Sequence, residues 1–87
     1  MKSFKLIVST PEGNVFEEEI GILSLRGTEG SLAVMANHVP FITATQAGVI
    51  KITKDEDTEI LANASDGMLT VAKENVTLLC GSFELQK

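Results

Sequence analysis

Hydrophobic and polar positions alternate along most of this chain with a period of two. Phe4, Leu6 and Val8 are separated by Lys5, Ile7 and Ser9, the spacing of a strand with one buried face. Thr10-Pro11-Glu12-Gly13 then reads as a type I turn, because proline presets φ at the second position and glycine suits the fourth. Val15 and Phe16 resume an extended run, and Glu17-Glu18-Glu19 after them reads as a solvated edge. Ile20 to Leu25 is rich in strand formers but loses strict alternation at Gly21, where a bulge or a bend is expected. Arg26 to Gly30 reads as a loop. Leu32 and Val34 mark a short strand running into Asn37-His38-Val39-Pro40, where the proline holds Val39 extended.

Phe41 to Thr45 and Val49 to Thr53 follow, with Ala47-Gly48 as the turn between them. Lys54 to Thr58 forms a polar tip, and Ile60, Ala62 and Ala64 restore alternation until Ser65-Asp66-Gly67. Met68 to Ala72, a turn at Lys73-Glu74-Asn75, and Val76 to Cys80 complete the pattern. Turns about every nine residues in this half predict an all-β sandwich or barrel. No long window carries a 3.6-residue apolar stripe, so any helix is a single turn near Ala36 to Val39. Gly81 to Lys87 either adds an edge strand or frays. The 87 residues make one domain, 1–87, with room for one core that buries roughly 60 to 65% of the unfolded surface.

Charge narrows the partners. Twelve acidic against seven basic residues give a net charge of −5, which disfavours nucleic acid, because phosphate binding needs a basic stripe. The lack of Trp and Tyr removes the usual base-stacking platforms. Cys80 is the single cysteine, so no intrachain disulfide is expected and a reducing compartment fits. The apolar run Leu6 to Val8 is too short for a signal peptide, and no stretch approaches the ~20 apolar residues of a membrane span. Any association with a membrane is therefore expected to run through a protein partner.

Candidate chemistry is sparse. His38 is the natural acid–base group, yet no Ser or Cys stands in a recognisable nucleophile context; a Ser31, Asp66, His38 set is conceivable but undistinguished. His38, Cys80 and scattered carboxylates lack ligand-pair spacing, so no metal is expected. The acidic runs 17–19 and 55–57 lack the glycine-punctuated spacing of a calcium loop, and neither glycine turn is a phosphate loop; no cofactor is expected. Asn63-Ala64-Ser65 and Asn75-Val76-Thr77 match a glycosylation tripeptide that is common by chance. Cys80 lies among Val76, Leu78 and Leu79, a core setting without a cationic neighbour. The residues point to a binding or scaffolding module; a generic β-sandwich adaptor and a small hydrolase built on His38 both stay open.

One run is more specific. Glu29-Gly30-x-Leu32-x-Val34-x-x-x-His38-x-Pro40-Phe41-x-Thr43, continued by Gly48, Ser65-x-Gly67 and Asn75-Val76-Thr77-Leu78-Leu79, resembles the N-terminal domain of the ε subunit of F-type ATP synthase. The opening strand with Thr10-Pro11-Glu12-Gly13-Asn14-Val15-Phe16 is similar to the same family. The resemblance implies a small β-sandwich of about ten short strands in a non-catalytic stalk subunit. It implies packing against the γ subunit through Thr10, His38, Pro40 and Thr43, and a loop of Thr28, Glu29, Gly30, Ser31 and Leu32 facing the c-ring. It also implies a place at the cytoplasmic face of the membrane, in a proton- or sodium-driven machine. Ala36-Asn37 and Ala47-Gly48 stand where the family often has proline, and Ser31 where an acidic residue is common. The family's C-terminal helical hairpin has no counterpart before Lys87. A diverged paralogue serving a second ATPase is the alternative within the resemblance.

Overall fold

The computed structural model describes residues 2–37 and 39–86. Alternating residues of small or β-branched type produce ten strands: β1 (Phe4–Thr10), β2 (Gly13–Ile20), β3 (Ile22–Gly27), β4 (Gly30–Met35), β5 (Phe41–Thr45), β6 (Gly48–Asp55), β7 (Thr58–Ala64), β8 (Gly67–Val71), β9 (Asn75–Cys80) and β10 (Phe83–Leu85). Their pairing divides into two layers. One sheet runs β4-β3-β6-β7-β10, the other β5-β8-β9-β1-β2, and the single pair Gly27–Thr45 joins them. All pairs are antiparallel except β1 with β9.

Each strand turns one face inward. Leu6 and Val8, Leu23 and Leu25, Ile50 and Ile52, Leu69 and Val71, and Val76 and Leu78 are buried, whereas the residues between them are more exposed. Burial of side chains of this size contributes about 1.5 to 3 kcal/mol each, enough for ten short strands to share one core. Phe16 of β2 and Phe83 of β10 meet across the layers, ring centroids 6.0 Å apart and tilted by 58°. Lys54 of β6 pairs with Glu18 of β2 on the same side.

The chain changes sheet at corners. Gly21 is the bend expected from the broken alternation, and its N–H donates to the Thr53 carbonyl at 2.7 Å. Ala47-Gly48 and Ser65-Asp66-Gly67 also prove to be corners: β5 does not pair with β6, nor β7 with β8. At Gln46 the N–H donates to the Arg26 carbonyl at 2.9 Å, tying the corner to β3.

One expectation narrows and two open readings close. The loop over Arg26 to Gly30 contracts to Thr28 and Glu29, because Gly27 pairs with Gly30 and Gly30 takes a φ of 129° that closes the hairpin. Gly30, Ser31 and Leu32 are consequently the first residues of β4, not loop. Ala36 and Asn37 form a turn with Asn37 at φ 66°, and no helix occurs among the described residues. The tail resolves as an edge strand, β10, paired with β7.

Candidate partner-binding face

Register across the second sheet fixes which side chains share its outer surface. Ala44, Met68, Leu79 and Ser9 are successive partners across β5, β8, β9 and β1. Ile42, Thr70, Thr77 and Ile7 form the next row. Opposed residues project to the same side of a sheet, so these eight make one uncharged surface. Ile42 is 68% exposed, Leu79 48% and Met68 42%, which leaves three large apolar side chains in water on it. An exposed apolar patch rimmed by polar residues marks an interaction surface. Charge begins only at its border, where Lys5 and Glu17 pair at 2.9 Å.

The predicted contact residues frame this face more than they fill it. Thr10 ends β1 in the inward register of Leu6 and Val8, and its Oγ1 accepts the Glu12 N–H at 3.2 Å, so its hydroxyl closes the turn. Thr43 is opposite fully buried Leu69 and therefore points to the core side, donating to the Ala44 carbonyl at 3.3 Å. Pro40 is exposed immediately before β5. His38 lies outside the described residues. Of the ring-facing set, Thr28 and Glu29 form an exposed turn, Gly30 and Ser31 are exposed on β4, and Leu32 is half-buried against the core. Thr10 and this turn lie at one end of the sandwich, and Pro40 at the other, as the pairings Thr10–Gly13, Gly27–Gly30 and Phe41–Val71 require.

Sequence reading missed Ile42, Met68 and Leu79. A signal existed: Val76, Leu78 and Cys80 set the inward phase of β9, so Leu79 is a large apolar residue at a solvent phase. The same logic applies to Ile42 beside Thr43 and Thr45.

The turn end is held by polar contacts. Ser65 Oγ accepts N–H bonds from Gly81 at 2.8 Å and Ser82 at 3.0 Å, and its own N–H donates to the Ser82 carbonyl at 3.0 Å. Gly67 faces the β9 backbone so closely that a Cβ there would lie 1.9 Å from the Leu79 carbonyl oxygen. These two residues explain the Ser65-x-Gly67 pattern in physical terms: one staples a corner and the other admits a neighbouring strand. Thr45, at the junction of the sheets, is buried, and its Oγ1 has no hydrogen-bond partner among the described residues.

Among the described residues, electrostatics show stabilising pairs and no activated group. Lys5, by hydrogen bond and charge, holds the Glu17 carboxyl below the usual range, and the Asp57 N–H does the same for Asp55 at 2.9 Å. Burial pushes the Cys80 thiol up, away from the reactive thiolate. No group of three or more metal-ligating side chains occurs among the described residues.

Comparison with known proteins gives one consistent neighbourhood. Residues 3–86 match the family described as the ATP synthase delta/epsilon chain, β-sandwich domain. The chain is 34% identical over 84 residues to the ATP synthase epsilon chain of Priestia megaterium, covering 97% of this chain and 62% of that protein. It is 32% identical over 84 residues to the epsilon chain of Bacillus subtilis, covering 97% of this chain and 63% of the relative. Thus it spans a little under two thirds of the length of these curated relatives. The fold is similar to a chain of the Euglena gracilis mitochondrial ATP synthase, solved as OSCP, F1 and c-ring, with a TM-score of 0.88 at 15% identity over 95% of this chain and 53% of that one. A central stalk and c-ring structure from Tetrahymena thermophila mitochondria gives 0.76 at 11% identity, covering 94% of this chain and 66% of its counterpart.

Proposed function

The chain belongs to the ATP synthase delta/epsilon β-sandwich family, and from that premise we propose that it is a non-catalytic, epsilon-type subunit of the central stalk of an F-type ATP synthase. In this role it links a γ-type subunit to the c-ring and helps couple ion-driven rotation to ATP synthesis, as a peripheral part of a membrane complex on its cytoplasmic face. The observation that carries the reading is the uncharged outer surface around Ile42, Met68 and Leu79, on a chain matching that family along almost its whole length.

The division of labour follows from the geometry. The broad apolar face suits a partner that stays bound, because burying it removes three large side chains from water. The Thr28-Glu29 turn is narrow, polar and exposed, which suits a second contact at the end of the sandwich with the ring. Two layers tied by cross-strand pairing form a stiff body between those contacts, as transmission of torque requires. His38 and Pro40 keep their proposed place at the γ side, with Ile42, Met68 and Leu79 added as its apolar part; Thr43, turned toward the core, and Thr10, which closes a turn at the end shared with Thr28 and Glu29, do not join that face.

Mixing the untagged chain with the γ-type subunit of the same organism is expected to give a one-to-one complex by native mass spectrometry. His38→Ala is expected to weaken that complex more than it lowers the melting temperature of the free chain. No complex at micromolar concentration would return the chain to an adaptor with another partner, or to a diverged paralogue.

A further inference from the structure

Four strands end the two sheets, and two of them are guarded. β2 carries Glu17, Glu18 and Glu19 and a register shift at Val8 and Ser9, while β10 has three residues, one of them Glu84. Charge, irregularity and shortness all deter pairing with a further strand. β4 and β5 have none of the first two. From Gly30 to Ile50 the chain contains no Asp, Glu, Lys or Arg, although 22% of its residues are charged.

The backbone of β4 shows what its free edge offers. The Arg26 carbonyl accepts the Gln46 N–H, so Arg26 directs its hydrogen-bonding groups away from β4. Arg26 is opposite Ser31, and antiparallel pairs alternate between bonded and non-bonded positions. Ser31 and, two residues on, Ala33 therefore point their N–H and C=O groups outward from the sheet. β4 pairs with β3 alone, and neither residue has a backbone partner on the far side among the described residues. Ala33 is exposed, and its small side chain adds no barrier along the edge.

We propose that the outer edge of β4 is a strand-addition site, at which Ser31 and Ala33 hydrogen-bond an extended apolar segment of the γ-type stalk partner. The inference rests on the stalk reading above. Continuity along the chain argues for that occupant: the uncharged stretch that forms β4 continues through Val39, 78% exposed, to Ile42 on the proposed partner face. Charge argues for it as well. A second copy would bring its own net charge of −5 against this one, whereas an uncharged segment of another chain meets no such self-repulsion. Main-chain bonds then supply affinity and side chains at alternate positions supply specificity.

Amide hydrogen exchange of the chain, free and in the one-to-one complex with γ, tests this directly. Slowed exchange at Ser31 and Ala33 in the complex alone is expected. Ala33→Pro removes an N–H that no internal ladder uses, so the fold is retained while affinity for γ falls about tenfold. A complex in which Ser31 and Ala33 exchange as in the free chain overturns strand addition and leaves the stalk reading standing, whatever the fate of the proline variant. Protection that appears in the chain alone, with a dimer mass, assigns the edge to a second copy and overturns the γ occupant. Absence of any complex overturns the stalk reading and this inference with it.

Discussion

The two outer faces of the sandwich are built from the same kind of strands and differ in one respect. On the β4-β3-β6-β7-β10 sheet every row across the strands carries a charge: Glu59 beside Thr53, Lys51 beside Ser24, Arg26 beside Ser31, Glu84 beside Asn63. Lys51 and Glu59 even pair along that surface at 3.7 Å. The two central rows of the other sheet run across four strands without a charge, which enters only on the edge strand β2, where Glu17 is opposite Ile7. Exposed apolar residues occur on both faces, Val49 and Leu61 on the first among them, so exposure alone does not separate the two. The difference lies in whether each apolar group is interrupted by a solvated one. A surface that stays in water disperses its apolar atoms; one that meets a partner lets them merge.

The most severe way to break the contrast is at Gly67. Its missing Cβ admits the β9 backbone, and the obstructing atom is the Leu79 carbonyl, which cannot swing aside as a side chain can. Gly67→Ala is expected to lower stability by about 3 kcal/mol or more and to abolish partner binding, since the β8–β9 ladder holds Met68 beside Leu79. Gly27→Ala is the control: its closest obstacle is Leu32 Cδ2, the end of a flexible side chain, and the cost in chemical denaturation is expected to be well below that of Gly67→Ala.

Binding separates the faces most directly. Ile42→Arg places a charge on the uncharged surface and is expected to weaken the proposed γ complex by about 2 kcal/mol, with the melting temperature nearly unchanged. Lys51→Ala, at the corresponding depth of the charged face, is expected to leave affinity within about 0.5 kcal/mol. Calorimetric titration of both variants decides it; equal losses would mean that the two faces are not functionally distinct.

Strand positions were largely legible because period-two alternation reports a half-buried strand whichever neighbours it finds. Sheet membership was not. Ala47-Gly48 and Ser65-Asp66-Gly67 contain the residues that close hairpins, yet here they turn corners, and only long-range pairing distinguishes the two uses. Of the segment expected to be a loop, Thr28 and Glu29 form an exposed turn and the residues after them are strand. Thr10 and Thr43 share the inward phase of their strands, information already present in Leu6, Val8 and Thr45 on either side. Edge identity, which decides what β4 can bind, depends on strand order and leaves no mark in local pattern beyond the absence of charge.

Ser65 joins the corner of one sheet to the return of the other. Replacing it with Ala leaves the Gly81 and Ser82 N–H groups without their acceptor, and a loss of about 1 to 2 kcal/mol in denaturant unfolding is expected. The same change should speed amide exchange at β10 more than at β5, because only β10 hangs from that corner. Thr45→Val works in the opposite direction: it removes a buried hydroxyl that has no partner and is nearly isosteric, so a gain of up to about 1 kcal/mol is expected.

The smallest expected effect concerns the charged border of the uncharged face. Because Lys5 favours the ionised form of Glu17, the folded chain keeps that carboxylate charged to lower pH than the unfolded chain does. The pair's contribution is therefore present at neutral pH, above the unfolded carboxylate value, and is lost as pH falls through the lower folded one. Asp55, held by the Asp57 N–H, follows the same sign. Both groups are exposed, so the effect is small and screened by salt. Glu17→Gln should flatten the acid limb of the stability profile slightly at low ionic strength and change nothing at high salt. The contribution of the uncharged face to partner affinity should stay constant across the same range, since none of its eight residues titrates. A γ affinity that fell with protonation of Glu17 would move the border of the interface outward onto β2, and the contrast between the faces would then rest on charge placement as much as on its absence.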